Sequence, residues 1–377
     1  MLPLLPFYAE RLGATPVMVG GLIATYALCQ LVAGPALGSL SDRVGRKPVL
    51  LFSQVGTFIG LLILAWAPSL WVVFLSRAID GMTAGNLSIA QAYIADVSRP
   101  EERARSFAII GIAFGIGFLI GPAISGFLSQ FGYVYPVLAA ASLSALSICA
   151  TYFLLPKSAP LPAGEPQAAG PGGRRLSLLE WSRYAEYFRN PALAPLLWKF
   201  FIYIFSFGFF TAGFALFAER RYTWNGRPFG PKEVGYVFAY TGLLGGIIQG
   251  LMGRLVRRFG ESRLLVAGFI ASTIGYAALA FTYSVPALLM VTTISVLGGV
   301  IRPVVTSLIT QGADRREQGV VLGLTQSLTS VAQITAPLIA GTLIGHGMLA
   351  VWALAMAAVT LAGAVIRTPA TAARVET

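Results

Sequence analysis

The stretch Gly38-Ser-Leu-Ser-Asp42-Arg43-Val-Gly45-Arg46-Lys47-Pro48 joins two apolar runs, Met18–Leu40 and Val49–Ala67. Gly38 permits close helix approach, and Gly45 suits the positive φ of a tight turn. Asp42 is placed to accept bonds from nearby backbone N–H groups and to balance Arg43. Arg46 and Lys47 suit a loop held at an anionic membrane surface. A second version, Gly253-Arg-Leu255-Val-Arg257-Arg258-Phe259-Gly260, follows at an offset of 215, with Arg257 where Asp42 stands. The same offset carries Pro16, Val19, Gly20 and Ala24 onto Pro231, Val234, Gly235 and Ala239. It also carries Glu102, Pro122 and Gly126 onto Glu317, Pro337 and Gly341. One gap-free register over about 110 residues marks two similar halves in parallel orientation.

Composition fixes the solvent. Of 377 residues, 56% are hydrophobic and 11% charged, and the mean hydropathy is +0.74. A chain this size cannot hide so much apolar surface in one water-soluble core. Eleven runs are long enough to cross a bilayer, where about 20 apolar residues suffice. They are Met18–Leu40, Val49–Ala67, Leu70–Ala95, Ser106–Gln130, Tyr133–Leu155, Leu196–Phe217, Glu233–Leu255, Leu264–Tyr283, Pro286–Thr310, Gly319–Ile344 and Met348–Ile366. None alternates as a barrel strand would, so all are expected to be helices. A twelfth piece, Met1–Tyr8, is too short to cross. The projected start of the seventh span falls about 20 residues before Met1, so the first helix is expected to be truncated.

The segment 156–195 is rich in proline and glycine and then becomes basic and amphipathic. It is expected to be a cytoplasmic linker with a surface helix. The domains are therefore a bundle over 1–155, the linker over 156–195, a second bundle over 196–367 and a tail over 368–377. Of the 27 Lys and Arg residues, 20 fall on one side of the membrane and five on the other: Arg11, Arg220, Arg221, Arg227 and Lys232. Arg77 and Arg302 remain inside. The richer side, with the linker and C-terminus, is then cytoplasmic. The net charge of +12 is accounted for by this asymmetry, and no basic stripe with stacking aromatics suggests nucleic acid. Cys29 and Cys149 lie deep in apolar runs and are expected to be buried thiols with no metal or redox spacing.

The fourth span carries the chemistry. At 100° per residue, Arg77, Asp80, Ala84, Ser88 and Gln91 fall within about 80° of one another. Such a polar stripe cannot face lipid, and Asp80 is the only carboxylate well inside any run. Asp80 is expected to carry a proton with Arg77 tuning it; a static pair that locks the helix is the plainer alternative. Tyr26, Gln30, Ser88, Gln91 and Arg302 are candidates for lining a substrate cavity. Asp96 is expected to cap the turn after the fourth span, and Asn86 to bond between helices.

The loop at Gly38–Pro48 and its weaker copy resemble the signature loops of the major facilitator superfamily. The resemblance covers essentially the whole chain and implies two pseudo-symmetric six-helix bundles around a midplane site. It assigns Gly38, Asp42, Arg43, Gly45, Arg46 and Lys47 to a cytoplasmic gate. Gly117, Gly121, Pro122 and Gly126 resemble the fifth-helix signature of the drug:proton antiporter branch. Arg77 matches the fourth-helix arginine linked to proton transfer there. The run Gly81–Asp96 is similar to tetracycline-resistance and multidrug pumps, although the ninth-helix carboxylate of the best-known tetracycline pumps has no counterpart in Leu264–Tyr283. The implied protein is a monomeric inner-membrane antiporter that exports a lipophilic small molecule and takes up protons.

No phosphate-binding loop and no HExxH, GxSxG or cysteine–histidine pair is present, so neither ATP drive nor an enzyme is expected. The expected cofactor is none beyond the proton gradient. Proton-coupled transport of a sugar or other metabolite, or an inactive truncated product, are the alternatives.

Overall fold

The computed structural model describes residues 4–97, 103–156, 187–313 and 318–367. The linker helix expected after Pro156 lies almost wholly outside the described residues, as do Glu102 and Glu317. The first half runs α1 (Leu5–Arg11), α2 (Pro16–Val44), α3 (Arg46–Ala65), α4 (Leu70–Met82), α5 (Asn86–Val97), α6 (Arg103–Leu128) and α7 (Val134–Leu154). The second runs α8 (Ala194–Arg221), α9 (Pro231–Phe259), α10 (Glu261–Leu279), α11 (Val285–Val296), α12 (Ile301–Gly312), α13 (Gln318–Gly345) and α14 (Leu349–Val365). Among the described residues, eight helical stretches are long and apolar enough to span a membrane.

Local chemistry sets the ends. Thr15 caps α2 by accepting from Met18 N–H at 3.4 Å, with Pro16 at the first position. Gly45 ends α2 at φ +101°, and its repeat partner Gly260 separates α9 from α10 at φ +76°. Both sharp turns are therefore glycine-dependent, as the loop signature implies. One element was not foreseen. Between α8 and α9, Thr223–Trp224 pairs with Arg227–Pro228 around Asn225 and Gly226, both at positive φ. Asn-Gly is the preferred centre of such a hairpin turn, so the signal was present in the sequence.

By packing, the chain divides into two compact units. The first holds Met1–Glu165, Thr211–Gly246 and Pro337–Gly347; the second holds Pro166–Phe210, Ile247–Ala336 and Met348–Thr377. This is a division by contact, whereas the repeat is a division by sequence.

Within the first unit the 215-residue register appears as reciprocal contacts. A side chain on Gly235 would strike the Pro122 carbonyl oxygen at 2.7 Å. The repeat-related contact is Gly20 against the Pro337 carbonyl. A side chain on Gly126 would meet the Pro231 carbonyl at 3.1 Å, and Gly341 meets Pro16 in the same way. Two crossings, α6 with α9 and α2 with α13, thus use the same glycine and proline positions of opposite halves. Gly126 and Pro122 carry this packing, while Gly117 and Gly121 have open space before them.

Replacing Gly20 or Gly235 by alanine should lower the melting temperature of the purified protein, because overpacking typically costs about 1–3 kcal/mol. Gly117→Ala, with nothing to strike, should leave it unchanged. Differential scanning fluorimetry of the three variants tests the assignment.

Candidate functional site

The fourth span is not the continuous helix expected over Leu70–Ala95. It breaks at Thr83, Ala84 and Gly85, between α4 and α5. Two polar side chains occupy the groups that the break frees. Ser53 of α3 donates its hydroxyl to the Thr83 carbonyl and accepts from Gly85 N–H at 2.8 Å. Gln30 of α2 donates to the Ala84 carbonyl at 3.3 Å, with the Tyr26 hydroxyl at 3.5 Å from the same amide nitrogen. In lipid an interruption persists only where protein supplies such partners. Close packing forces the position: a side chain on Gly81 would meet the Tyr26 carbonyl at 2.5 Å.

Asp80 sits one turn before the break. Arg77 Nη1 donates to its Oδ2 at 3.1 Å, and the Thr57 hydroxyl of α3 also reaches its carboxylate. Asn86, just past the break, donates to Thr57 at 3.3 Å and so bonds between helices as expected. Asp80 and Arg77 are each only 8% exposed, which places them against α2 and α3 and away from the acyl chains. Arg77 Nη2 is buried with no hydrogen-bond partner. The structure thus gathers Tyr26, Gln30, Arg77 and Asp80 around one interruption. It does not extend the stripe to Ser88 and Gln91, which α5 leaves exposed beyond the break. The 100° rule assumed a helix that does not continue.

The second half repeats the interruption. The tenth span passes through a short 3₁₀ turn, Leu297–Val300, between α11 and α12. Adding 215 to Thr83–Gly85 gives Gly298–Val300. Beside it, Gly275 packs on Ser295 as Gly60 packs on Asp80. Ser295 therefore occupies the aspartate position in the second half, and the charged pair belongs to the first half alone. Interrupted spans at matching positions of two repeats are the usual mark of a midplane binding site.

The signature loop holds its own half together. Asp42 pairs with Arg46, one turn on, and Arg43 is exposed, which corrects the expected Asp42–Arg43 balance. Arg46 is 4% exposed rather than at the membrane surface; its Nε donates to Asp96 at 2.8 Å and its Nη1 to Ser41 at 2.7 Å. Asp96 therefore anchors this arginine; the turn it was expected to cap lies outside the described residues. Lys47 Nζ donates to the Tyr152 carbonyl at 2.8 Å and to the Leu155 carbonyl, closing the end of α7. At the equivalent positions, Gln311 donates to Glu261 at 3.1 Å. The Arg46–Asp96 bridge and the Glu261–Gln311 bridge tie the same two helix ends with different charges.

Three further placements add to this description, and the cysteines differ from the buried thiols expected. Lys199, near the start of the run Leu196–Phe217, is fully buried, with Nζ 5.4 Å from the centre of the Phe269 ring. Cys149 is exposed and Cys29 partly so. Arg302 is exposed in the interior of its span.

At the arginine-poor end of the first unit, Arg220 Nη2 donates to Glu10 at 2.6 Å and Nη1 lies 3.7 Å from Glu219. This bridge joins α1 to α8. Nearby, a cavity of about 570 Å³ is lined by Tyr8, Arg11, Trp66, Phe131, Tyr133 and Tyr135. Arg11 stacks over the Tyr133 ring at 5.3 Å. Burial raises the Tyr133 phenol above its ordinary pKa, and Arg11 partly opposes that rise.

The family model for the Major Facilitator Superfamily matches residues 1–245 and 225–376. The chain belongs to that superfamily. It is 33% identical over 330 residues to "Tetracycline resistance protein, class C" of Escherichia coli, covering 85% of this chain and 78% of that protein. It is 26% identical over 353 residues to "Quinolone resistance protein NorA" of Staphylococcus aureus (strain Mu50 / ATCC 700699), covering 91% and 85%. Among solved structures it is similar to the nucleoside transporter NupG, with TM-score 0.70, 17% identity, and 96% and 92% covered. The superfamily fold accounts for the two parallel, pseudo-symmetric halves and for a chain that crosses the membrane many times.

The Arg77–Asp80 pair makes a stability prediction. Arg77→Met leaves a buried carboxylate without its cation and should cost about 3–5 kcal/mol. The double variant Arg77→Met/Asp80→Asn should recover much of that loss, because the two effects are coupled. Thermal melts of the two variants in detergent test this.

Proposed function

We propose that this superfamily member exports lipophilic drugs across the cytoplasmic membrane in exchange for protons. Likeness to tetracycline- and quinolone-resistance proteins supports the substrate class. The observation that carries the proton reading is Asp80, the only carboxylate well inside an apolar run among the described residues, paired with Arg77 at a helix break.

The coupling follows from charge. With Asp80 ionised, it neutralises Arg77, and the pair is tolerated in a low-dielectric setting. A proton on Asp80 leaves the guanidinium uncompensated beside a break held by Ser53 and Gln30. One proton moving down the membrane potential supplies about 2.3 kcal/mol per 100 mV, enough to concentrate substrate tens-fold. The proton gradient serves where a cofactor would otherwise be needed.

Sidedness follows the arginine distribution, with the linker and C-terminus cytoplasmic and the Arg220–Glu10 bridge outside. The reciprocal contacts of Gly20, Gly126, Gly235 and Gly341 then form an outer seal, and the signature loop acts on the cytoplasmic side. A single chain contains both halves and so serves as a monomer.

In everted vesicles with an acidified lumen, adding a transported drug should discharge the gradient, as antiport requires. Symport of a metabolite would move proton and substrate the same way. Asp80→Asn should abolish the discharge while the protein still inserts, and its melting temperature should fall because Arg77 loses its counter-ion. Full discharge by that variant would remove Asp80 from the mechanism.

A further inference from the structure

We propose that the cavity at the arginine-poor end of the first unit binds one anionic phospholipid, in which Arg11 holds the phosphate and a row of exposed rings beside it carries the acyl chains. The site goes beyond the export reading and rests on it only for the choice of leaflet, the outer one.

Three helix ends enclose the cavity of about 570 Å³. They are the end of α1 at Arg11, the end of α3 before Trp66 and Ala67, and the short 3₁₀ turn Ser129–Phe131 that leads into α7. One wall is a fixed stack. The buried Tyr8 directs its hydroxyl at the Leu64 carbonyl, 3.1 Å away, and the Ala67 carbonyl, 3.2 Å away. Tyr133 lies against Tyr8 with ring centres 5.9 Å apart and 29° between the planes. The Arg11 guanidinium sits over the Tyr133 ring at 5.3 Å. Hydrogen bonds thus fix the first ring, the first ring fixes the second, and the second seats the cation. A cation already seated loses little side-chain freedom when it takes a ligand.

Arg11 is exposed. Among the described residues its side chain makes no ion pair or hydrogen bond. The carboxylates of this end are held by another arginine: Arg220 lies 2.6 Å from Glu10 and 3.7 Å from Glu219. The donors of Arg11 are therefore open, and a phosphate matches their planar fork.

The rim selects a lipid over a soluble anion. Trp66, Phe131 and Tyr135 line the cavity, and each is more than half exposed. Phe127, Phe131 and Tyr135 form an edge-on row with ring centres 5.7 and 6.4 Å apart. Ile120, Ile124 and Phe127 are exposed on α6, and their spacing puts them on one face. An apolar track therefore runs along the span to the cavity mouth, where large rings stand at head-group level. A soluble anion would use the cation alone. A phosphate joined to acyl chains uses both the cation and the track.

The test uses the full chain, delipidated in detergent, with dioleoyl phosphatidylglycerol and dioleoyl phosphatidylcholine as probes in native mass spectrometry. Wild type should retain one phosphatidylglycerol about ten-fold more tightly than phosphatidylcholine, as a charge-assisted hydrogen bond allows. Arg11→Gln should erase that preference, and Arg11→Lys should keep part of it, with the charge but without the fork. Trp66→Ala should weaken both lipids. Arg227→Gln, on the exposed hairpin at the same end, should leave the preference intact. All three side chains are exposed, so these variants should melt as wild type does. Equal retention of the two lipids by wild type, or an undiminished preference in Arg11→Gln, would overturn the proposal. An equal loss in Arg227→Gln would also overturn it, by showing attraction to general surface charge. So would full displacement of the lipid by millimolar glycerol phosphate, which would make this a site for soluble anions. Retention needs no gradient. Asp80→Asn, which stops export under the proposed function, should still retain phosphatidylglycerol, so the two readings fail separately.

Discussion

Inside a bilayer no water satisfies a broken helix, and the interruption at Thr83–Gly85 exists only because other helices complete it. Ser53 and Gln30 supply the missing partners from α3 and α2. The polar cluster depends on this arrangement. Tyr26 backs Gly81, Thr57 bonds Asp80 and receives Asn86, and Arg77 balances the carboxylate. An uninterrupted fourth span would carry Ser88 and Gln91 on the same face as Asp80. The break separates them.

The duplication shows which parts of this arrangement are architectural. Both halves interrupt the same span at the same register, and both bury a glycine against the residue at the Asp80 position. Both also bridge the loop residue after the turn glycine to the end of the interrupted span, through Arg46–Asp96 in one half and Glu261–Gln311 in the other. These shared features are backbone geometry and helix crossing. The charged residues differ. The first half carries a balanced pair at its break, and the second carries Ser295 there and Arg302 beyond it.

Much of the fold was legible because hydropathy is local and lipid is a uniform solvent. Span positions, the turn glycines Gly45 and Gly260 and the repeat register all follow from residues close together in sequence. The helix break was not legible by the same route. Leu70–Ala95 contains no proline, and glycines at 81 and 85 are tolerated in many spanning helices. What breaks the helix is competition for its backbone groups by Ser53 and Gln30, some 30 and 54 residues away in sequence. For the same reason Asp42 pairs with Arg46, one turn on, and not with its sequence neighbour Arg43.

From composition, periodicity and the 215-residue repeat, the sequence by itself determined a membrane protein of two like halves, with its few interior charges at Arg77, Asp80 and Arg302. Tertiary structure alone decided what those charges meet. It buried Arg46 and Lys199, set Asp80 against Thr57 and Arg77, and left Arg302 exposed within its span. The reason is one of range. Partition into lipid acts residue by residue along the chain, whereas the partner of a buried charge is chosen by which distant helices pack closely enough to reach it.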